Sequence, residues 1–396
     1  YGKRKHGSVR AKKFGLIIRI SSYSIRVKVK SMNKETYIIK IDPENMEEQL
    51  AYAGKLLSDG KTVAFPTETV YGLGANALSE SAVDAIYEAK GRPSDNPLIV
   101  HIARIDMLDE LAEEVKPYAK MLMEAFWPGP ITFVVKKKAH VPYKVTGGLE
   151  TVGVRMPSHP VALKLIDLSG VPVAAPSANL SGKPSPTDVR YVLKDMMGRV
   201  DCIVDGGDSH VGLESTVLDV TGDVPVILRP GKITREMIVE IVGACEVDPA
   251  LDNKSEQVLT PKSPGMKYKH YAPDAQVSVY SGDRMTVIKT FYKRIIEVIE
   301  SGMSIGVMIF DEDALVLEKL LEKDEIFIRN SDKIHIMREG SSKELDTLAR
   351  NLFKDLRKLD ELSVDVILVH GVSENALGHA IMNRLEKASE GRVFKI

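Results

Sequence analysis

Cysteine is nearly absent: Cys202 and Cys245 are the only two in 396 residues. Two thiols cannot build a four-ligand zinc site or a disulfide framework, and their scarcity suits a reducing, cytoplasmic setting. Long apolar runs are missing as well. No stretch of about 18 apolar residues occurs, so no membrane-spanning helix is expected. Acidic residues are absent from positions 1–31, which hold ten Lys/Arg; in the rest of the chain 55 Asp/Glu outnumber 44 Lys/Arg. The first methionine is Met32, and the sequence from there reads like an ordinary start. Residues 1–31 are therefore expected to be a basic extension, disordered or non-native. An RNA-touching arm and a targeting segment are the alternatives.

Two nucleotide-binding signatures are lacking. There is no Walker A loop, since Gly231-Lys232 is followed by Ile233 at the wrong spacing. Gly72-Leu73-Gly74-Ala75-Asn76-Ala77 fits the dinucleotide fingerprint in letters only. Pro66 and a polar run separate it from the strand that should feed it directly. A nucleotide would have to be held by another route.

What is present is an ordinary globular composition, 44% hydrophobic and 28% charged, on a chain long enough for two or three domains. Strand and helix signals alternate from Tyr37 to about Gly243. Tyr37–Ile41, Thr62–Phe65, Ile131–Val135, Val152–Arg155, Val171–Ala174, Ile203–Val204 and Ser215–Val220 read as strands. Helices are expected from Asp42-Pro43 to Leu57 and over 79–90, 106–126, 159–168 and 187–198. The pattern sets out an α/β domain over 32–247 and a Pro/Gly-rich linker over 248–275 that carries Tyr268, His270 and Tyr271. A smaller, mostly parallel, Rossmann-like α/β domain follows over 276–396. Its strands are read at Val277–Tyr280, Ser304–Phe310, Ile326–Ile328 or Ile334–Met337, and Val366–His370, with helices at 284–300, 312–322, 343–360 and 376–388. The two halves share no internal repeat.

Polar clusters sit at the strand ends of the first domain, where α/β proteins place ligands. One is Pro66 through Gly74, with Thr67, Glu68 and Thr69. Another runs from Lys90 through Pro97 to His101; Lys90 and Arg92 are two cations within three residues, a phosphate-binding composition. Arg155 ends an apolar strand and needs an anion or water. Ala174 to Ser185 is a run of small residues that opens space. Glu214-Ser215-Thr216 and Arg229-Pro230-Gly231 follow. Each cluster alone is also explained by turn chemistry or by a solvated helix end. Together they place Thr, Arg, Lys, Ser and Asn at successive strand ends with no candidate thiol nucleophile. That pattern favours positioning and phosphate electrostatics over covalent catalysis.

Eight runs occur in order: PTETVYGLG, KGRPSDNPL, WPGPITFV, VGVRMPSHP, APSANLSGKPSPT, ESTVLDV, LRPG and SPGMKYKHYAP. They resemble the YrdC-like domain of threonylcarbamoyl-AMP synthases, with the linker of the two-domain form. The resemblance covers roughly 42–275. It implies a twisted mixed sheet with a concave, basic cavity, and the synthesis of threonylcarbamoyl-AMP from L-threonine, bicarbonate and ATP, with magnesium accompanying ATP. It further implies a threonine site of Thr69, His101, Arg155, Ala175 and Ser215. The ATP site it implies comprises Lys90, Arg92, Asn96, Thr151, Ser177, Asn179, Ser185 and Arg229, with Lys90, Arg92, Ser177 and Asn179 nearest the chemistry. Tyr268, His270 or Tyr271 is expected to fold over the nucleotide, and Tyr271 is counted as the ninth residue of the ATP site. A tRNA threonylcarbamoyl transferase complex is the implied downstream partner. Carbamoyl transfer for hydrogenase maturation uses a similar core but requires zinc-finger cysteines. A double-stranded RNA-binding or ribosome-associated module without catalysis is the alternative from a different class.

Overall fold

The computed structural model describes residues 34–251 and 270–396, together with the backbone of the strands Gly7–Ala11, Leu16–Ile20 and Ile25–Val29. Two sheets organise it. In space the first runs Gly7–Ala11, Leu16–Ile20, Ile25–Val29, Glu35–Lys40, Cys202–Asp205, Val63–Phe65, Gly72–Asn76 and Val173–Ala174. It continues through Ile99–His101, Thr151–Arg155, Ile131–Lys136, Thr216–Asp219 and Val226–Arg229 to Glu246–Val247. Pairing is mixed: Cys202–Asp205 is parallel to both its neighbours, whereas Val173–Ala174 is antiparallel to both of its own. The first three strands form an antiparallel ladder that continues into Glu35–Lys40. The reason is legible in the residues: Ile25-Arg26-Val27-Lys28-Val29 alternates β-branched and polar positions, a strand pattern that outweighs the basic composition.

Other differences have local causes. The first helix begins at Met46, not at Asp42. The Asp42 carboxylate accepts from the Glu44 amide and the Asn45 side chain, an Asx-type turn that competes with helix initiation. The expected helix 106–126 divides into a 3₁₀ turn, Ile105–Glu110, and a helix, Pro117–Phe126, that starts on its proline. Gly72–Asn76 is a strand rather than a loop. A β-carbon on Gly74 would lie 2.7 Å from Phe65 and from Val173, so only glycine lets these three strands close up.

The second sheet is wholly parallel, in the order Ile334–Arg338, Ile305–Ile309, Val366–His370, Gln276–Ser281, Val393–Lys395. Of the two candidate third strands, Ile334–Arg338 is the one that forms, and Ile326–Ile328 lies in the short helix Glu325–Arg329. Asp324 caps that helix through the Ile326 amide.

The domains meet through apolar and ionic contacts. Val70 and Leu213 of the first pack in one cluster with Tyr271, Leu348, Leu352 and Phe353. Arg357, on the helix Leu345–Glu361, reaches across to Asp195 (2.7 Å) and the Pro184 carbonyl. Among the described residues no helix is long and apolar enough to cross a membrane.

Candidate active site

A cleft of about 600 Å³, counting its open mouth, lies where the strand ends of the first domain meet the chain leaving the linker. Its floor is the Thr67–Val70 turn. The Thr67 hydroxyl donates to the Val70 carbonyl (2.6 Å) and lies 2.9 Å from the Thr69 hydroxyl. Arg155 arrives from the end of Thr151–Arg155. Its guanidinium pairs with Glu68 (2.5 Å) and donates to Thr69 Oγ1 (2.8 Å) and the Gly129 carbonyl (3.4 Å). Three of five N–H groups are thereby used, and the other two suit a bidentate anion. Glu68 is fully buried and its Oε2 has no hydrogen-bond partner. Sequence reading placed Glu68 in its motif but assigned it no role; its partner Arg155 is 87 residues away, so no local signal marks the pair.

Opposite, Arg229 ends its own strand and donates to the Ser215 carbonyl and hydroxyl, both at 3.1 Å. Ser215 Oγ also lies 2.8 Å from Thr132 Oγ1. Burial lowers the Arg229 pKa to about 10, so it stays a cation at neutral pH. Arg92, Ala175 and Ser177 complete the wall, and His270 and Tyr271 close it from the linker side. Tyr271 sits at φ +64°, with its ring 5.1 Å from Phe353. Tyr268 lies outside the described residues.

Nine of the fourteen expected residues thus share the cleft: Thr69, Arg92, His101, Arg155, Ala175, Ser177, Ser215, Arg229 and Tyr271. Five do not line it. Lys90 is one: its ammonium is buried and donates to the Ser177 and Asn179 carbonyls, bracing the 177–179 turn. Burial, then Arg92, lowers its pKa well below the usual lysine value. The Asn179 amide nitrogen donates to the Leu180 and Lys183 carbonyls, while its Oδ1 is buried without a hydrogen-bond partner. Ser185 donates to Glu214 at 2.6 Å. Asn96 is fully buried, and both its side-chain polar atoms lack partners. Thr151 opens the strand that Arg155 closes, about 13 Å away at ordinary strand rise. The sequence missed these placements because spacing marks a strand end but not which way a side chain turns from it. Thr67 and Glu214 also line the cleft without having been assigned to the threonine or nucleotide site, and His270 lines it as one of the three residues expected over the nucleotide.

Both cysteines are buried, and burial raises their pKa, that of Cys245 to about 11, so neither offers a ready thiolate. Among the described residues no group of three or more His, Cys, Asp or Glu is placed to hold a metal. His101 and His270 are held neutral. Burial, then the Arg155 charge, lowers His101 to about 3; burial, then Arg92, lowers His270 to about 3. An NMR titration should therefore show neither ring protonating between pH 8 and pH 5. The linkage has one sign. Below about pH 6.5 the unfolded chain binds protons that the folded chain refuses, so each ring removes stability as pH falls, about 2 kcal/mol by pH 5. Denaturant melts of His101→Asn at pH 7 and pH 5, set against the parent, should recover that difference.

A cleft lined by three arginines and hydroxyls, with a mixed-sheet core and an accessory parallel domain, defines a two-domain YrdC-like protein. Comparison with known proteins agrees. Residues 55–231 match the Sua5–YciO–YrdC family, described as telomere recombination, and 233–390 match the C-terminal domain of threonylcarbamoyl-AMP synthase. The threonylcarbamoyl-AMP synthase of Pyrococcus abyssi is 48% identical over 91% of this chain and 100% of its own length. That of Bacillus subtilis is 47% identical over 88% and 94%. The crystal structure of P. abyssi Sua5 complexed with L-threonine superposes with a TM-score of 0.81 at 46% identity, covering 91% of this chain and 99% of that one. This chain belongs to the threonylcarbamoyl-AMP synthase family.

Proposed function

We infer that the chain is a nucleotidyltransferase that makes L-threonylcarbamoyladenylate. The amino nitrogen of L-threonine takes up the carbon of bicarbonate with loss of water. A carbamate oxygen then attacks the α-phosphorus of ATP, the α–β anhydride breaks and pyrophosphate leaves. The observation that carries this reading is the pairing of Arg155 and Arg229 in one cleft. Two fixed cations seat a carboxylate and a phosphate chain side by side, and charge stabilisation replaces a nucleophile. The relatives' names and the threonine complex of the P. abyssi protein support it. A duplex-binding module fits less well: Arg155 and Arg229 are 4% and 5% exposed, too recessed to meet the phosphates of an RNA helix.

Within the site, Arg155 holds the threonine carboxylate beside Thr69, and His101 adds a neutral ring. Arg92 and Arg229 meet the phosphates near Ser177. Lys90 and Asn179 serve by fixing the loop that carries Ser177. Magnesium fits as a companion of the nucleotide: Glu214 is bonded to Ser185 and Arg384 and Glu68 to Arg155, so the carboxylates here build no protein cage. Bound with ATP, it neutralises phosphate charge. The labile product is then handed to a tRNA-modifying transferase complex.

Pyrophosphate release from ATP tests the reading: it should need both L-threonine and bicarbonate, and release independent of threonine would count against it. The rings of His270 and Tyr271 act as the cover over the nucleotide, excluding water from the carbamate. Tyr271→Ala should lower kcat about tenfold and raise the share of ATP consumed without formation of threonylcarbamoyl-AMP. Unaltered turnover would remove the cover from the scheme.

A further inference from the structure

The helix Leu377–Ala388 of the second domain sends one side chain into the wall of the cleft. Arg384 is wholly buried. Its Nε donates to Glu214 Oε2 (3.0 Å), its Nη1 to the Pro230 carbonyl (2.8 Å) and its Nη2 to the Glu214 carbonyl (3.4 Å). Asn383 Oδ1 takes a further bond at 3.2 Å. Its acceptors in the first domain lie on two neighbouring segments. Glu214 precedes Ser215, and Pro230 follows Arg229. Arg229 spans the same gap from the other side, through its two bonds to Ser215.

Glu214 therefore stands between two guanidinium groups, one from each domain. Burial pushes its carboxyl up, but Arg384, and then Arg229, outweigh that and hold it below the usual range. A buried carboxylate stripped of Arg384 would turn to a remaining cation; Lys387 also feels its charge, but Arg229 is the one bonded to Ser215, the residue next to Glu214. Arg229 would then be drawn off Ser215 and away from the cleft.

We propose that Arg384 is a positioning residue for the reaction, supplied by the accessory domain: it occupies Glu214 so that Arg229 stays aligned on Ser215 and available to the nucleotide phosphates. This rests on the reading of the cleft as a site for ATP and threonine. The accessory domain thus acts as a charge partner that sets the aim of a residue in the other domain. Arg384 touches no substrate.

The test uses the full chain and three variants. Arg384→Met keeps length and removes every donor. It should raise the ATP concentration for half-maximal pyrophosphate release about tenfold or more, with kcat altered less. Arg384→Lys, a point charge that cannot span both segments, should fall between. In Arg384→Met/Glu214→Gln the competing charge is gone, and most of the ATP affinity should return. A residue that merely packs the interface would gain nothing from that second change. ATP binding by calorimetry and melting curves accompany each variant. Parent-like ATP dependence in Arg384→Met overturns the proposal. So does a folded Arg384→Met whose defect Glu214→Gln leaves untouched. If Arg384→Met does not fold, Arg384→Lys and Arg384→Lys/Glu214→Gln carry the same comparison, and absent rescue there overturns it equally. A parent protein that releases no pyrophosphate with threonine would instead defeat the functional reading, while calorimetric ATP affinities would still decide the role of Arg384.

Discussion

Arg155→Ala is expected to abolish threonine-dependent pyrophosphate release, with a loss of at least about a hundredfold in kcat/KM for threonine. Two effects add. The guanidinium offers the cleft two N–H groups, and each charged hydrogen bond contributes about 1.5–3 kcal/mol, so losing both reaches that factor. The same change leaves Glu68, already short of one partner, as an uncompensated buried carboxylate. Removing one member of such a pair costs about 3–5 kcal/mol of stability unless the group takes a proton. The variant should therefore melt earlier at pH 7 and recover part of that loss in mild acid. Arg155→Lys separates the effects: it keeps a cation for Glu68 but lacks the fork, so stability should hold better than activity. Steady-state kinetics with threonine varied, beside melts at two pH values, decide it. Full activity in either variant would remove Arg155 from the substrate site.

The second large effect is expected at the domain boundary. Arg357 and Asp195 have side chains only 6% and 7% exposed. Arg357 also donates twice to the Pro184 carbonyl and lies over the Tyr191 ring at 5.3 Å. Arg357→Ala should cost about 3–5 kcal/mol, because Asp195 and a backbone carbonyl are both left buried without their donor. Asp195→Asn should cost less, since the amide still accepts from the guanidinium. Urea unfolding of the two variants is the measurement. A loss under about 1 kcal/mol for Arg357→Ala would show that water replaces the arginine there. The loop from Lys183 to Ser185 hangs on this contact and carries Ser185 to Glu214. Arg357→Ala should consequently also weaken ATP use.

The sequence disclosed both domains and most of the cleft for one reason: strand-end motifs are local, and their order along the chain is the order of the site. Arg155 and Arg229 were readable because an arginine closing an apolar strand has few other uses. The contacts of Lys90 were not legible, for an equally physical reason: they are the Ser177 and Asn179 carbonyls, almost ninety residues away, and no local pattern marks so distant a partner. Arg384 gave no signal at all. It sits in a helix of ordinary composition, and its partner Glu214 is 170 residues away. Pairings of that span are set by how domains dock, which no periodicity encodes.

The walls of the cleft draw on Thr67 at one end of the chain and depend on Arg384 near the other. Expressing the halves as separate polypeptides would turn that closure into a second-order encounter, governed by dilution. Joined in one chain, the two bodies meet at an effective concentration on the order of millimolar, well above that of dilute free fragments. Such a pair of fragments should regain turnover only at high concentration, and lose it again on dilution.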